Sequence, residues 1–191
     1  MSKSLIYTFL MLLSCYFVMG QDLPAWKKDL APKNENWKKT EQHLQFNNDA
    51  EPESLDPAVI TGLLEFRIVD GLFEGLVSLD PKTLVARPAV AESWTISEDQ
   101  LVYVFKIRKE AKWSNGQPVL ANDFFNAWER VLNPKQAAPY NYQLFPIKNA
   151  KEYAENKIKD FSEVGVKIIS SNELQVTLSM PCPYFLDLAS F

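Results

Sequence analysis

The spacing of apolar residues divides the chain into a short series of strands and helices. His43-Leu44-Gln45-Phe46 alternates as a half-buried strand does, then runs into Asn47-Asn48-Asp49, Pro52 and Asp56-Pro57, which are loop-forming residues. From residue 61 the period lengthens. Leu64, Ile68 and Leu72 share one helical face with Phe66, Val69 and Phe73 beside it, so residues 61–73 are predicted as a helix closed by Gly75. Leu76-Val77-Ser78-Leu79 reads as a strand, Asp80-Pro81-Lys82-Thr83 as a turn, and residues 88–94 as a short packed connection. Residues 95–97 and 101–107 are predicted as antiparallel strands around Glu98-Asp99-Gln100. In the second, Leu101, Tyr103, Phe105 and Ile107 face one way and Val102, Val104 and Lys106 the other, so the first side is core.

Trp113 to Pro118 forms a tight turn, with Asn115-Gly116 as a hairpin-type signal. A helix over 121–132 carries Phe124, Ala127, Trp128 and Val131 on its apolar side and must stop at Asn133-Pro134. A shorter helix is predicted over 150–157. Residues 165–169 and 174–178 form a hairpin about Ser170-Ser171-Asn172, with Val166, Ile168, Leu174, Val176 and Leu178 as its apolar members. Residues 181–191 begin another apolar element. The sequence closes at Phe191 with no cap or closing strand, the pattern expected of an interrupted domain, and no internal repeat is visible.

Three segments follow. Residues 1–20 read as a secretory signal: Lys3 is followed by a weakly polar run from Leu5 to Met19, with Val18 and Gly20 small enough for cleavage before Gln21. Leu12-Leu13-Ser14-Cys15 offers a rival, lipoprotein-type cut at Cys15, although Tyr16, Phe17, Val18 and Met19 stay hydrophobic where such a chain usually turns polar. An uncleaved anchor is the third reading, disfavoured because about 20 apolar residues are needed to span a bilayer. Residues 21–42 are a polar arm with Trp26 and Trp37, and 43–191 the folded portion.

Composition fits a globular protein, with 47% hydrophobic and 23% charged residues. Removing residues 1–20 takes away Lys3 and no acid, so the 20 basic and 24 acidic residues become 19 and 24, a net charge of −5. That balance argues against a nucleic-acid partner, since phosphate binding needs clustered Lys and Arg. Cys182 alone of the cysteines remains, reading as a small buried hydrophobe between Pro181 and Pro183. Reactive chemistry has little to draw on. The one histidine, His43, sits in a predicted strand, whereas a metal site wants several converging ligands. There is no phosphate-cradling glycine loop and no Gly-x-Ser-x-Gly turn, and Glu98-Asp99 lies in a turn, so neither an enzyme nor a cofactor is implied.

Six motifs occur in a fixed order across residues 43–191: Glu51-Pro52-Glu53-Ser54-Leu55-Asp56-Pro57; Asp70-Gly71-Leu72-Phe73-Glu74-Gly75-Leu76; Ala89-Val90-Ala91-Glu92-Ser93-Trp94; Ala111-Lys112-Trp113-Ser114-Asn115-Gly116 with Pro118-Val119; Asp123-Phe124 with Ala127-Trp128; and Pro139-Tyr140 with Pro183-Tyr184-Phe185. The series resembles the extracellular solute-binding proteins of family 5, and the last pair narrows it toward oligopeptide-binding proteins. Most of these residues are scaffold, with Trp94, Trp113 and Trp128 expected to contribute about 1.5–3 kcal/mol each when buried.

The resemblance implies a mixed α/β (α+β) chain, part of a periplasmic binding protein-like fold of two lobes, type II, incomplete here because similar proteins are more than twice as long. It further implies a monomer in the periplasm that holds an oligopeptide by its main chain, as an added strand, and hands it to the membrane permease subunits of an ABC transporter. The residues it assigns to the peptide are Thr61, Gly62, Leu63 and Tyr140. Gly62 lets backbone approach closely, or is simply a helix-start glycine; Tyr140 donates its hydroxyl to a peptide carbonyl, or is a core tyrosine paired locally. Thr61 departs from the glutamate common in similar proteins and supplies no charge. The isolated 21–191 piece is expected to bind peptide feebly or not at all. A degenerate or regulatory remnant, or a family member taking dipeptide, nickel complex or haem, are the competing readings.

Overall fold

Hydrophobic alternation in one six-residue strand organises the molecule. The computed structural model describes residues 46–190; the chain divides into units 1–47 and 48–191, and every element below lies in the second. The signal segment, the polar arm and all but the last residue of the strand predicted at 43–46 lie outside the described residues, and Phe46 itself is in irregular chain. In chain order the elements are α1 (Leu63–Leu72), β1 (Val77–Leu79), β2 (Ala86–Pro88), β3 (Ala91–Ile96), β4 (Val102–Ile107), α2 (Ala121–Leu132), α3 (Ala150–Ala154), β5 (Val166–Ser170), β6 (Glu173–Thr177) and α4 (Phe185–Leu188). A 3-10 turn, Asn141–Leu144, follows Tyr140. The mix of helices and strands is the expected α/β class.

β4 lies inside a four-stranded antiparallel sheet of order β3-β4-β6-β5, while β1 and β2 pair separately. Register places Phe105 opposite Trp94 on one side and Leu174 on the other, with Ile168 beyond; Tyr103 stands opposite Ile96 and Val176. Tyr103, Phe105 and Ile107 are all buried, as alternation requires. Phe185 of α4 closes on this face, its ring centroid 4.9 Å from that of Tyr103. Cys182 is buried in the same core. Both predicted hairpins are present, and in the β3–β4 turn Asp99 accepts hydrogen bonds from Ser97 Oγ at 2.5 Å and the Leu101 N–H at 3.0 Å.

α2 spans the predicted residues. Leu120 has no side chain able to cap it, so the Asp123 carboxylate takes over, accepting the Leu120 N–H at 2.8 Å. Ala121, Trp128 and Leu132 are buried and Phe124, Phe125 and Val131 partly so, but Ala127 is exposed rather than core. Trp113 also departs from expectation: it is 40% exposed, because Asp123 accepts its indole N–H at 3.2 Å and holds the ring at the surface.

Other corrections follow from contacts that periodicity does not encode. Residues 88–94 are no loop but the ends of β2 and β3 around Ala89 and Val90. α3 stops at Ala154, three residues early, and Asn156 beyond it takes a left-handed φ of 63°. α1 ends at Leu72 with Phe73 extended, so Gly75 does not close it. A Cβ on Gly75 would lie 2.6 Å from the Ser190 carbonyl oxygen, so glycine is there for the crossing with the chain after α4. The apolar face predicted for α1 is covered only in part: Val69 is buried and Leu64 and Ile68 are half-buried, whereas Phe66 is exposed and Leu72 and Phe73 are 65% and 47% exposed. Among the described residues no helix is long and apolar enough to cross a membrane.

Candidate functional site

The segment before α1 is folded by its own polar side chains. Ser54 Oγ accepts the Asp56 N–H at 3.1 Å, and Asp56 Oδ1 accepts the Ala58 N–H at 3.1 Å, forming an Asx turn across Pro57. Arg130, near the end of α2, then grips the Asp56 carboxylate with both terminal nitrogens, Nη1 to Oδ1 at 2.8 Å and Nη2 to Oδ2. This fork joins residues 74 positions apart. The Arg130 hydrogen bonds, outweighing the opposing effect of burial and helped by the Ala58 N–H, hold the Asp56 carboxyl down at about 2.

The start of α1 is fixed by a second carboxylate. Glu65 is the one buried charged residue among those described, and its Oε1 accepts the Glu53 N–H at 3.0 Å. That bond, with another to its own backbone N–H, lowers its pKa below the usual carboxylate range. The side chain folds back over Gly62, so that a Cβ at position 62 would stand 2.0 Å from Glu65 Oε2. Gly62 is in ordinary extended backbone, φ −95° and ψ 153°, so what excludes a side chain there is the occupied space. This favours the helix-start explanation of the glycine, whose carbonyl accepts the Phe66 N–H at 3.1 Å as the first bond of α1.

Tyr140 completes the arrangement. Its hydroxyl donates to the Thr61 carbonyl oxygen at 3.3 Å, across 79 residues of sequence. All four residues assigned from sequence therefore meet in one place. Thr61 is exposed, Gly62 half-buried, and Leu63 and Tyr140 are 63% and 43% exposed. Tyr140 is not a core residue, yet its hydroxyl proton is committed to protein backbone. Toward an outside group it presents acceptor lone pairs, unless the 3.3 Å bond is exchanged. Tyr142 stands beside it, ring centroids 6.0 Å apart and edge to face.

Sequence reasoning missed Glu65, Arg130 and Tyr142. The spacing Gly62-x-x-Glu65, a carboxylate three residues beyond a helix start, is a local signal for the first; nothing local marks the Arg130 contact. Among the described residues no three His, Cys, Asp or Glu side chains converge as metal ligands. Two shallow surface hollows, of about 410 and about 590 Å³, lie by Tyr153 and by β5, and neither is lined by any of these residues.

Residues 85–191 match the family described as bacterial extracellular solute-binding proteins, family 5 Middle. The chain belongs to that family. The periplasmic oligopeptide-binding protein OppA of Escherichia coli (strain K12) is 46% identical to this family 5 chain over 149 residues, 77% of the chain and 27% of that relative. The dipeptide-binding protein DppE of Bacillus subtilis (strain 168) is 38% identical over 150 residues, 78% of the chain and 27% of its own length. Among solved structures, Haemophilus influenzae OppA in complex with RPPGFSPFR is 39% identical with a TM-score of 0.71, over 75% of this chain and 28% of that one. The chain thus spans about a quarter of the length of the curated relatives it matches.

Proposed function

We propose that the chain supplies one wall and part of the hinge of a clamp that captures oligopeptides for an ABC transporter and changes no bond in them. The observation that carries this reading is the Tyr140 to Thr61 hydrogen bond, which gathers the four candidate residues on an exposed surface within a family 5 chain. The resemblance to oligopeptide-binding proteins supplies the ligand class. Gly62 is in extended backbone and carries no side chain, which suits a peptide main chain laid beside it, although its own carbonyl accepts the Phe66 N–H at 3.1 Å. The permease partners, export through residues 1–20 and work as a periplasmic monomer belong to the same proposal. A dipeptide ligand is the second reading, favoured by the likeness to DppE.

One wall alone leaves the other face of the peptide in water, so the 191-residue chain is expected to bind in the millimolar range, about −4 kcal/mol. Amide chemical shifts of the 15N-labelled chain, titrated with trialanine, test this. Shifts confined to Thr61, Gly62, Leu63 and the Tyr140 region are the expected result. A surface that stays silent there to tens of millimolar peptide sinks the proposal.

A further inference from the structure

Thr61, Leu63, Tyr140 and Tyr142 bring no charge to the candidate site, and we infer that this wall selects peptides carrying an apolar or aromatic side chain over those carrying a charged one; the inference rests on the peptide-binding reading above. Leu63, Tyr140 and Tyr142 are 63%, 43% and 54% exposed and Thr61 is exposed as well, so three large apolar surfaces remain open to solvent at residues tied to this segment. They are not loosely placed. Tyr140 is anchored to the Thr61 carbonyl and packs edge to face with Tyr142, so the two rings form a fixed step tied to the segment that enters α1. A fixed aromatic step gives contact area to a ligand side chain with little ordering needed on binding.

The nearby charges are otherwise engaged. Glu65 is turned inward, its carboxylate held by the Glu53 N–H and its own N–H. Asp56 is gripped by Arg130, and Asp49 pairs with Arg67 at 3.6 Å. Glu53 is an exposed acid tied to this corner through its backbone, and its side chain is an alternative source of charge. A lysine or glutamate side chain laid on this wall would therefore lose water without gaining an opposite charge from Thr61, Leu63, Tyr140 or Tyr142.

The test uses the 15N-labelled 191-residue chain and four tripeptides, Ala-Phe-Ala, Ala-Leu-Ala, Ala-Lys-Ala and Ala-Glu-Ala, followed at the amides of Gly62 and Leu63. Half-burial of one apolar side chain predicts that the Phe and Leu peptides saturate at concentrations about fivefold lower than the other two. Tyr142→Ala is expected to remove most of the Phe advantage. Thr61→Glu, which puts a carboxylate on an exposed position, should favour Ala-Lys-Ala by about threefold. Equal saturation by all four peptides overturns the selectivity and leaves the peptide-binding reading standing. Preference for Ala-Lys-Ala in the unaltered chain also overturns it, and points to Glu53. No shift with any peptide overturns the peptide-binding reading itself and this inference with it.

Discussion

Replacing Asp56 with asparagine removes the charge from the fork with Arg130 and keeps nearly everything else. Asn Oδ1 can still accept the Ala58 N–H, so the Asx turn survives and the charge is isolated. The carboxyl falls from 3.8 to about 2 in the folded protein, a shift of almost two units that would be worth about 2.5 kcal/mol if unscreened. The side chains of Arg130 and Asp56 are 49% and 33% exposed, so solvent screening reduces this to about 1 kcal/mol. For a unit of this size that lowers the melting temperature by about 2–5 °C at pH 7. The pH dependence has a definite sign. Because the folded-state pKa is depressed, the stabilisation is complete above about pH 4 and is lost as pH falls toward 2. Melting curves of the two proteins, followed by circular dichroism from pH 7 to pH 2, should therefore converge. A gap as wide at pH 2 as at pH 7 would refute the electrostatic account, and no gap at pH 7 would show the fork to be ornamental.

Three further outcomes follow from the same geometry. Gly71→Ala should raise stability by about 0.5–1 kcal/mol in urea unfolding, since an added Cβ meets nothing within 4 Å and α1 gains a better helix former. Gly62→Ala should do the reverse, displacing the Glu65 carboxylate from the Glu53 N–H; a melting temperature equal to that of the parent chain would contradict this placement. Phe185→Ala should destabilise by about 3–5 kcal/mol in denaturant unfolding, because the ring is 1% exposed and packed on Tyr103, and a loss under 1 kcal/mol would mean that α4 is not part of the core.

What the sequence disclosed and what it withheld divide by range. α2 carried local signals at both ends, with Asp123 three residues past Leu120 and Asn133-Pro134 as a stop, and its bounds were readable. β4 declared its buried side because period two leaves one face for Tyr103, Phe105 and Ile107. β2 is three residues long, too short to display alternation, so its residues look like connection. Amphipathic spacing in α1 records that a face suits burial but not whether anything lies against it, and Leu72 and Phe73 stay exposed. Size alone sends Trp113 to the interior, whereas its N–H bonds Asp123 at the surface. At the site, the four residues came from family likeness; what joins them, a hydroxyl to a carbonyl 79 residues away, has no local trace.

The sheet has a seam. β3–β4 and β5–β6 are each local hairpins, whereas the junction between them, β4 with β6, joins residues about 70 positions apart, such as Phe105 and Leu174. Hairpins of this kind form within about 1–10 μs, so the two halves can zip independently and the rate is set by their encounter. Lengthening the intervening chain adds only slowly to the entropy of that encounter. Insertions into the surface loop after α2 should therefore slow assembly modestly and leave both half-sheets intact. A substitution at Phe105 or Leu174 would strike the encounter itself.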